Sequence, residues 1–242
     1  MDAAAAVEGV RDADVRLLQA LDAANFDDAI ARSQSTLPEW TIGHVLTHIA
    51  RNADSHTRMI TAAQRGEQMH QYPGGMEQRE SEIEAGAGRS AAELVDDVRR
   101  ADDALIAAYV GVDDETWRGS AIRWGRLWPV IDLPFLRWRE VAVHSVDLGL
   151  PGIGTEIWHP AYVEHELRRQ VAALSTRLPE SMAVRLAPRD ATWSTLVVRI
   201  GDAPAEDVVT IDCPSHELLA WTIGRFAGEP HWPPLSRWHG IP

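Results

Sequence analysis

The sequence predicts an α+β protein, a four-helix bundle followed by a small α/β C-terminal domain. Three observations carry this. Four stretches between Val10 and Leu148 place apolar residues at helical spacing. Long connections join them, as in bundles with crossovers. After Gly154 the pattern changes, and short Val- and Ile-rich runs stand between helical ones. The change falls near residues 150–156, dividing the chain into an N-terminal part, 1–152, and a C-terminal part, 153–242.

The first helix is expected from Val10 to about Ile30, with Val15, Leu18, Leu21 and Ala24 recurring at helical spacing. Thr41 is an expected N-cap for a second helix to about Gln64, with Ile42, Val45, Leu46, Ile49, Ala53 and Ile60 as its stripe. Tyr72-Pro73-Gly74-Gly75 is a turn signal, with a short helix around Glu77–Glu84. Ser90 and Glu93 form a capping-box pattern that opens a third helix to about Tyr109, with Leu94, Val98, Leu105 and Ile106 inward. Residues 111–132 read as a long connection carrying Trp117, Trp124 and Trp128, and Pro134 starts the fourth helix, to about Leu148. In the C-terminal part a helix is expected over Pro160–Leu178. Strands follow at Met182–Leu186, Thr195–Ile200 and Asp207–Asp212, then a helix over Ser215–Phe226 with Ser215 as its cap.

The 242 residues include 36 acidic and 23 basic ones, a net charge of −13. A nucleic-acid or anionic-membrane partner calls for a basic surface, so both are excluded as expectations. The single cysteine, Cys213, excludes an internal disulfide framework and a Cys-cluster zinc site. No apolar run approaches the roughly 20 residues a bilayer span needs. The start, Met1-Asp2, alanines and then Glu8, lacks the basic and apolar regions of a signal peptide, so a cytoplasmic protein is expected.

Three residues on two helices carry the strongest chemical signal. In Arg139-Glu140-Val141-Ala142-Val143-His144, Glu140 and His144 are four apart and share a helix face. His44 and His48 have the same spacing on the second helix. A site of His48, Glu140 and His144 offers two nitrogens and one oxygen, and three protein ligands with open positions mark a catalytic rather than a structural zinc site. Such a ligand set also accepts nickel, cobalt or iron. The plain alternative is a solvated pair, or a Glu140 neutralised by an arginine. A buried Glu beside Val141, Val143 and Val146 needs one partner or the other. His44 is open between fourth ligand, supporting group and surface residue. Asp147, three residues after His144, is placed either to orient that imidazole or at the helix surface.

Two segments resemble the mycothiol-dependent maleylpyruvate isomerase family: Leu37-Pro38-Glu39-Trp40-Thr41-Ile42-Gly43-His44-Val45-Leu46-Thr47-His48, and Trp138 through Gly149 with its R-E-x-x-x-H-x-x-D-L-G pattern. Tyr72-Pro73-Gly74-Gly75 followed by Glu82-Ile83-Glu84-Ala85-Gly86 adds to it. The resemblance implies a DinB-like four-helix bundle holding one divalent metal, usually zinc, with a smaller α/β domain after it. Matched residue by residue, the family's ligands fall on His48, Glu140 and His144. Its functional arginine falls on Arg225, in Trp221-Thr222-Ile223-Gly224-Arg225, with Arg79 and Arg139 as the next candidates for gripping a carboxylate. The implied chemistry is addition of the thiol cosubstrate mycothiol to the cis double bond of maleylpyruvate, rotation, and elimination to fumarylpyruvate. The alternatives are a mycothiol S-transferase acting on electrophiles on the same scaffold, and a metal-binding regulatory protein without turnover. Elsewhere the expectations are plain. Cys213 is a small core residue. Trp117, Trp124, Trp128 and Trp138 are mostly core and interface. His159, His216, His231 and His239 form no ligand spacing. Glu82 and Glu84 are solvated, and Asp96-Asp97 and Asp102-Asp103 form an outer helix face.

Overall fold

The structure, a computed structural model, describes residues 1–190, 196–199 and 208–236. It is a mixed helical and sheet fold whose N-terminal part is helical, in two compact units, Met1–Gly154 and Thr155–Pro242. In the first unit α1 is Ala3–Ala23, α2 Asp28–Ala31, α3 Ile42–Ala63, α4 Gly75–Ala87, α5 Ala91–Val110 and α6 Asp114–Trp117. A hairpin of β1 (Ser120–Arg123) and β2 (Arg126–Pro129) then leads through a 3₁₀ turn into α7 (Leu133–Asp147). The bundle is α1, α3, α5 and α7, with α3 packed on α5 and α7, and α1 on α7.

Local chemistry sets the helix ends. Asp2 caps α1 through Ala5 N–H at 2.8 Å. Thr41 and Ser90 each form a capping box, with His44 and Glu93 reaching back to the cap backbone. The expected first helix is instead two. Asn25 takes a left-handed φ of 50°, which ends α1, and Asp27 caps the one-turn α2. A Cβ on Gly9 would meet the Trp138 ring at 2.2 Å, so this glycine is what lets α1 and α7 approach.

The buried faces depart from the expected stripes in one instructive way. On α1, Val15 is 51% exposed while Asp14 is buried with Val10, Leu17 and Leu21. On α5, Asp97 and Asp102 are buried, not on an outer face. They turn inward because arginines meet them there. Asp97 binds Arg51 at 2.8 Å and Arg89 at 2.7 Å. Asp102 binds the fully buried Arg137 of α7 at 2.5 Å, and Asp14 lies 3.8 Å from the same guanidinium. One cation between two buried acids leaves a surplus of negative charge. Burial and the neighbouring Asp102 accordingly raise the Asp14 carboxyl well above its ordinary range, which favours its protonated form. A carboxyl with a raised folded-state pKa favours folding while protonated and loses that contribution as pH climbs through the raised value. Asp14→Asn, which imitates the protonated form, is expected to gain stability on wild type as pH rises. Urea unfolding of both proteins at about pH 5 and about pH 8 reads the change, and a constant difference would refute it.

The 111–132 segment, expected as a connection, holds α6 and the hairpin. Trp124 and Gly125 both take positive φ, 54° and 70°, as a tight two-residue turn requires. The hairpin tip leaves Trp124 49% exposed; of the four tryptophans expected mostly in core and interface, Trp138 is buried and Trp117 and Trp128 are half-buried.

In the second unit α8 (Pro160–Leu174) precedes β3 (Ala183–Pro188), β4 (Leu196–Arg199) and β5 (Val208–Cys213), and α9 is Ser215–Thr222. The sheet order is β4-β3-β5, antiparallel then parallel. Of the expected strand residues, Thr195, Ile200 and Asp207 lie outside the described residues, as does His239. Ser215 is not the side-chain cap of α9. Its N–H and hydroxyl both bind Asp190, at 2.7 and 2.5 Å, so the capping oxygen comes from the loop after β3. Cys213 is buried, and burial pushes its thiol up to about 12, as for an inert core residue. No helix among the described residues is long and apolar enough to cross a membrane.

Candidate metal centre

The trio converges inside the first unit. His48 enters from the second turn of α3, and Glu140 and His144 from successive turns of α7. One donor atom from each lies within 4.8 Å of the others, and the residues are 2%, 3% and 0% exposed. Nε2 of His48 is 3.3 Å and Nε2 of His144 3.6 Å from the same oxygen, Oε2 of Glu140. The two imidazoles meet edge to face at 4.7 Å.

The surroundings set each donor's state. His144 Nδ1 is 2.9 Å from Asp147, which takes its proton in hydrogen bonding and turns Nε2 toward Glu140. That Nε2 is buried without a hydrogen-bond partner, an orphaned polar atom in a protein interior. Burial alone would lower the His144 pKa, but the hydrogen bond to Asp147 and the Glu140 carboxylate 3.6 Å away outweigh it and raise the value. Burial likewise works against the Glu140 charge. The two histidines beside it, His144 and the hydrogen-bonded His48, together with the Arg123 charge, overcome it and hold the carboxyl well below its ordinary range. His48 goes the other way, lowered to about 3 chiefly by burial, so it stays a neutral imidazole. One carboxylate and two imidazoles converging within 4.8 Å in the interior suit a cation at their meeting point. The donor set, the burial and the orphaned nitrogen all fit a divalent ion.

Arginines gather around this point. Arg123 Nη2 lies 3.2 Å from Oε1 of Glu140, so the carboxylate faces an arginine with one oxygen and the histidines with the other. Arg79 Nη2 donates to His48 Nδ1 at 3.3 Å and sits over the Trp40 ring. With an ion at Nε2 the ring proton has to sit on Nδ1, and Arg79 then gives up this bond. Arg139 is buried on α7. Tyr72, from the turn before α4, is buried, and burial raises its hydroxyl, keeping it a proton donor.

His44 is elsewhere. Its Nδ1 is 2.7 Å from the Thr41 hydroxyl, at the cap of α3, and its Nε2 is 3.1 Å from Glu84 on α4, so neither nitrogen faces the trio. His44→Ala is expected to cost about 1 kcal/mol through the weakened cap and to leave the metal content unchanged, read by thermal melting and metal analysis of the same sample. Arg225 belongs to the second unit. It is half-buried in the turn that closes α9, with its N–H on Ala220 O at 2.8 Å. Arg123 had no motif to announce it. The available signal was the Trp124-Gly125 pair between two short runs, a weaker hairpin mark than Asn-Gly.

Residues 10–149, more than half of the chain, match the family model for the mycothiol maleylpyruvate isomerase N-terminal domain. No curated protein matches significantly. Among solved structures, the fold resembles the crystal structure of the mycothiol-dependent maleylpyruvate isomerase, with a TM-score of 0.79, 22% identity and 98% of each chain covered. A histidine-to-alanine mutant of that enzyme matches at 0.79 and 21%, again over 98% of each chain. At such identity the likeness is one of fold, while the domain match carries the assignment: the chain belongs to the mycothiol maleylpyruvate isomerase family.

Proposed function

We propose that the protein is a metal-dependent, mycothiol-using cis-trans isomerase of the maleylpyruvate to fumarylpyruvate type. The ion, zinc in this reading, is held by His48, Glu140 and His144, and residues 1–152 and 153–242 are the two domains. The observation that carries the proposal is the buried convergence of these three side chains with one imidazole nitrogen left bare. When bound, the ion favours the thiolate form of an external thiol and polarises a substrate oxygen.

The chain's own residues do the rest. Asp147 fixes the His144 ring and keeps its proton away from the donor nitrogen. Burial of the trio excludes water, which strengthens every charge interaction there. An external thiol means the protein needs no nucleophile of its own, in keeping with a single cysteine, Cys213, that is buried. Arg225 is the proposed grip on a substrate carboxylate, in bidentate fashion, with Arg79 and Arg139 as the next candidates for that role.

Loss of maleylpyruvate absorbance, followed with mycothiol present and absent and before and after chelation, tests the reading. Turnover is expected only with thiol and metal together. Conjugation of an electrophile to mycothiol without isomerisation would replace the proposal with an S-transferase.

A further inference from the structure

We propose that Arg123 is a positioning residue of the metal centre: by holding Oε1 of Glu140 it makes that carboxylate a one-oxygen ligand and so keeps coordination positions open for an external thiol. This rests on the metal reading above. A carboxylate beside a cation either chelates it with both oxygens or offers one. Here the two oxygens already face different partners, Oε1 toward Arg123 Nη2 at 3.2 Å and Oε2 toward the two histidine nitrogens at 3.3 and 3.6 Å. Rotation of Glu140 to present both oxygens breaks the arginine bond and leaves a buried guanidinium without its anion.

The clamp is built to stay in place. Arg123 is 4% exposed and flanked by Trp124 and Trp128, with ring centroids 5.5 and 5.7 Å from its guanidinium carbon. Its strand is pinned on the far edge, where Ile122 N–H binds Met69 O at 3.1 Å and Gln71 N–H binds Ile122 O at 2.9 Å. A cation this close also draws charge from the carboxylate and weakens it as a donor. A site evolved only to retain an ion gains nothing from that, whereas a site that must admit a sulfur ligand gains an open, more acidic metal.

Cobalt(II), which reports coordination number through its visible absorption, is the probe. Wild type, Arg123→Gln and Arg123→Lys are loaded with cobalt after circular dichroism confirms helicity, and each is titrated with N-acetylcysteine. Wild type is expected to show the intense bands of a four- or five-coordinate ion. Arg123→Gln is expected to show several-fold weaker bands and about tenfold weaker thiol binding, with Arg123→Lys partly restoring both. Equal spectra and equal thiol affinity in wild type and Arg123→Gln would overturn the inference. So would a six-coordinate spectrum in wild type, which decides the matter even where the variant does not fold. Wild type that takes up no cobalt overturns the metal reading itself, a result distinct from either.

Discussion

Glu140→Ala is expected to empty the metal centre and to destabilise the bundle in one step. Glu140 is the only anionic donor of the trio and the only one that both histidine nitrogens approach. Without it two imidazoles remain, too few to hold a divalent ion in an open site. The same change strands Arg123, which is 4% exposed and pairs with Glu140 at 3.2 Å. Breaking a buried ion pair by removing one partner costs about 3–5 kcal/mol. Glu140→Gln separates the two effects. Its amide oxygen still accepts from Arg123 and fills the same volume, so the fold survives, while the lost charge lowers metal affinity. Metal analysis after dialysis is expected to find wild type loaded and both variants largely empty. Added zinc should raise the melting temperature of wild type alone, since a ligand stabilises only the state that binds it. Full metal content in both variants would remove the site assignment.

The limits of the sequence reading have a physical pattern. The capping boxes of α3 and α5 were legible because they depend on residues three apart. The meeting of Glu140 with His144 was legible for the same reason, since a helix places residues four apart on one face. What brings His48 to them is packing of α3 on α7, which spacing alone does not record; the two spaced pairs propose the trio, and the family resemblance picks the same three residues. Asp97 and Asp102 were misread as an outer face because a charge seen alone implies solvent. Their partners Arg51 and Arg137 lie on other helices, at sequence separations no local pattern records. Val15 was misread for the complementary reason, because Asp14 takes the inward position beside it. Arg123 was missed because its role is made by a hairpin that swings it across to α7.

Arg137→Met is expected to be the most damaging substitution outside the metal centre. Arg137 is wholly buried, and from α7 it reaches three other helices of the bundle. It donates to Ile49 O at 2.9 Å and Asn52 Oδ1 at 3.0 Å on α3, binds Asp102 on α5 at 2.5 Å, and lies 3.8 Å from Asp14 on α1. Methionine fills much of the volume but answers none of these groups. Asp102 then faces a second buried carboxyl with no cation, which costs about 3–5 kcal/mol, and it has to take up a proton to stay inside. For a protein of this size each kcal/mol lowers the melting temperature by about 2–4 °C, so a fall of about 10 °C is expected at neutral pH. Adding Asp102→Asn removes the stranded charge, and the double variant should recover part of the loss, as a coupling energy in a double-mutant cycle. The metal content below the melting temperature should stay that of wild type, because none of the four contacts touches His48, Glu140 or His144. A melting temperature within about 2 °C of wild type would mean the network is hydrated in solution and contributes little to holding α1, α3 and α5 together.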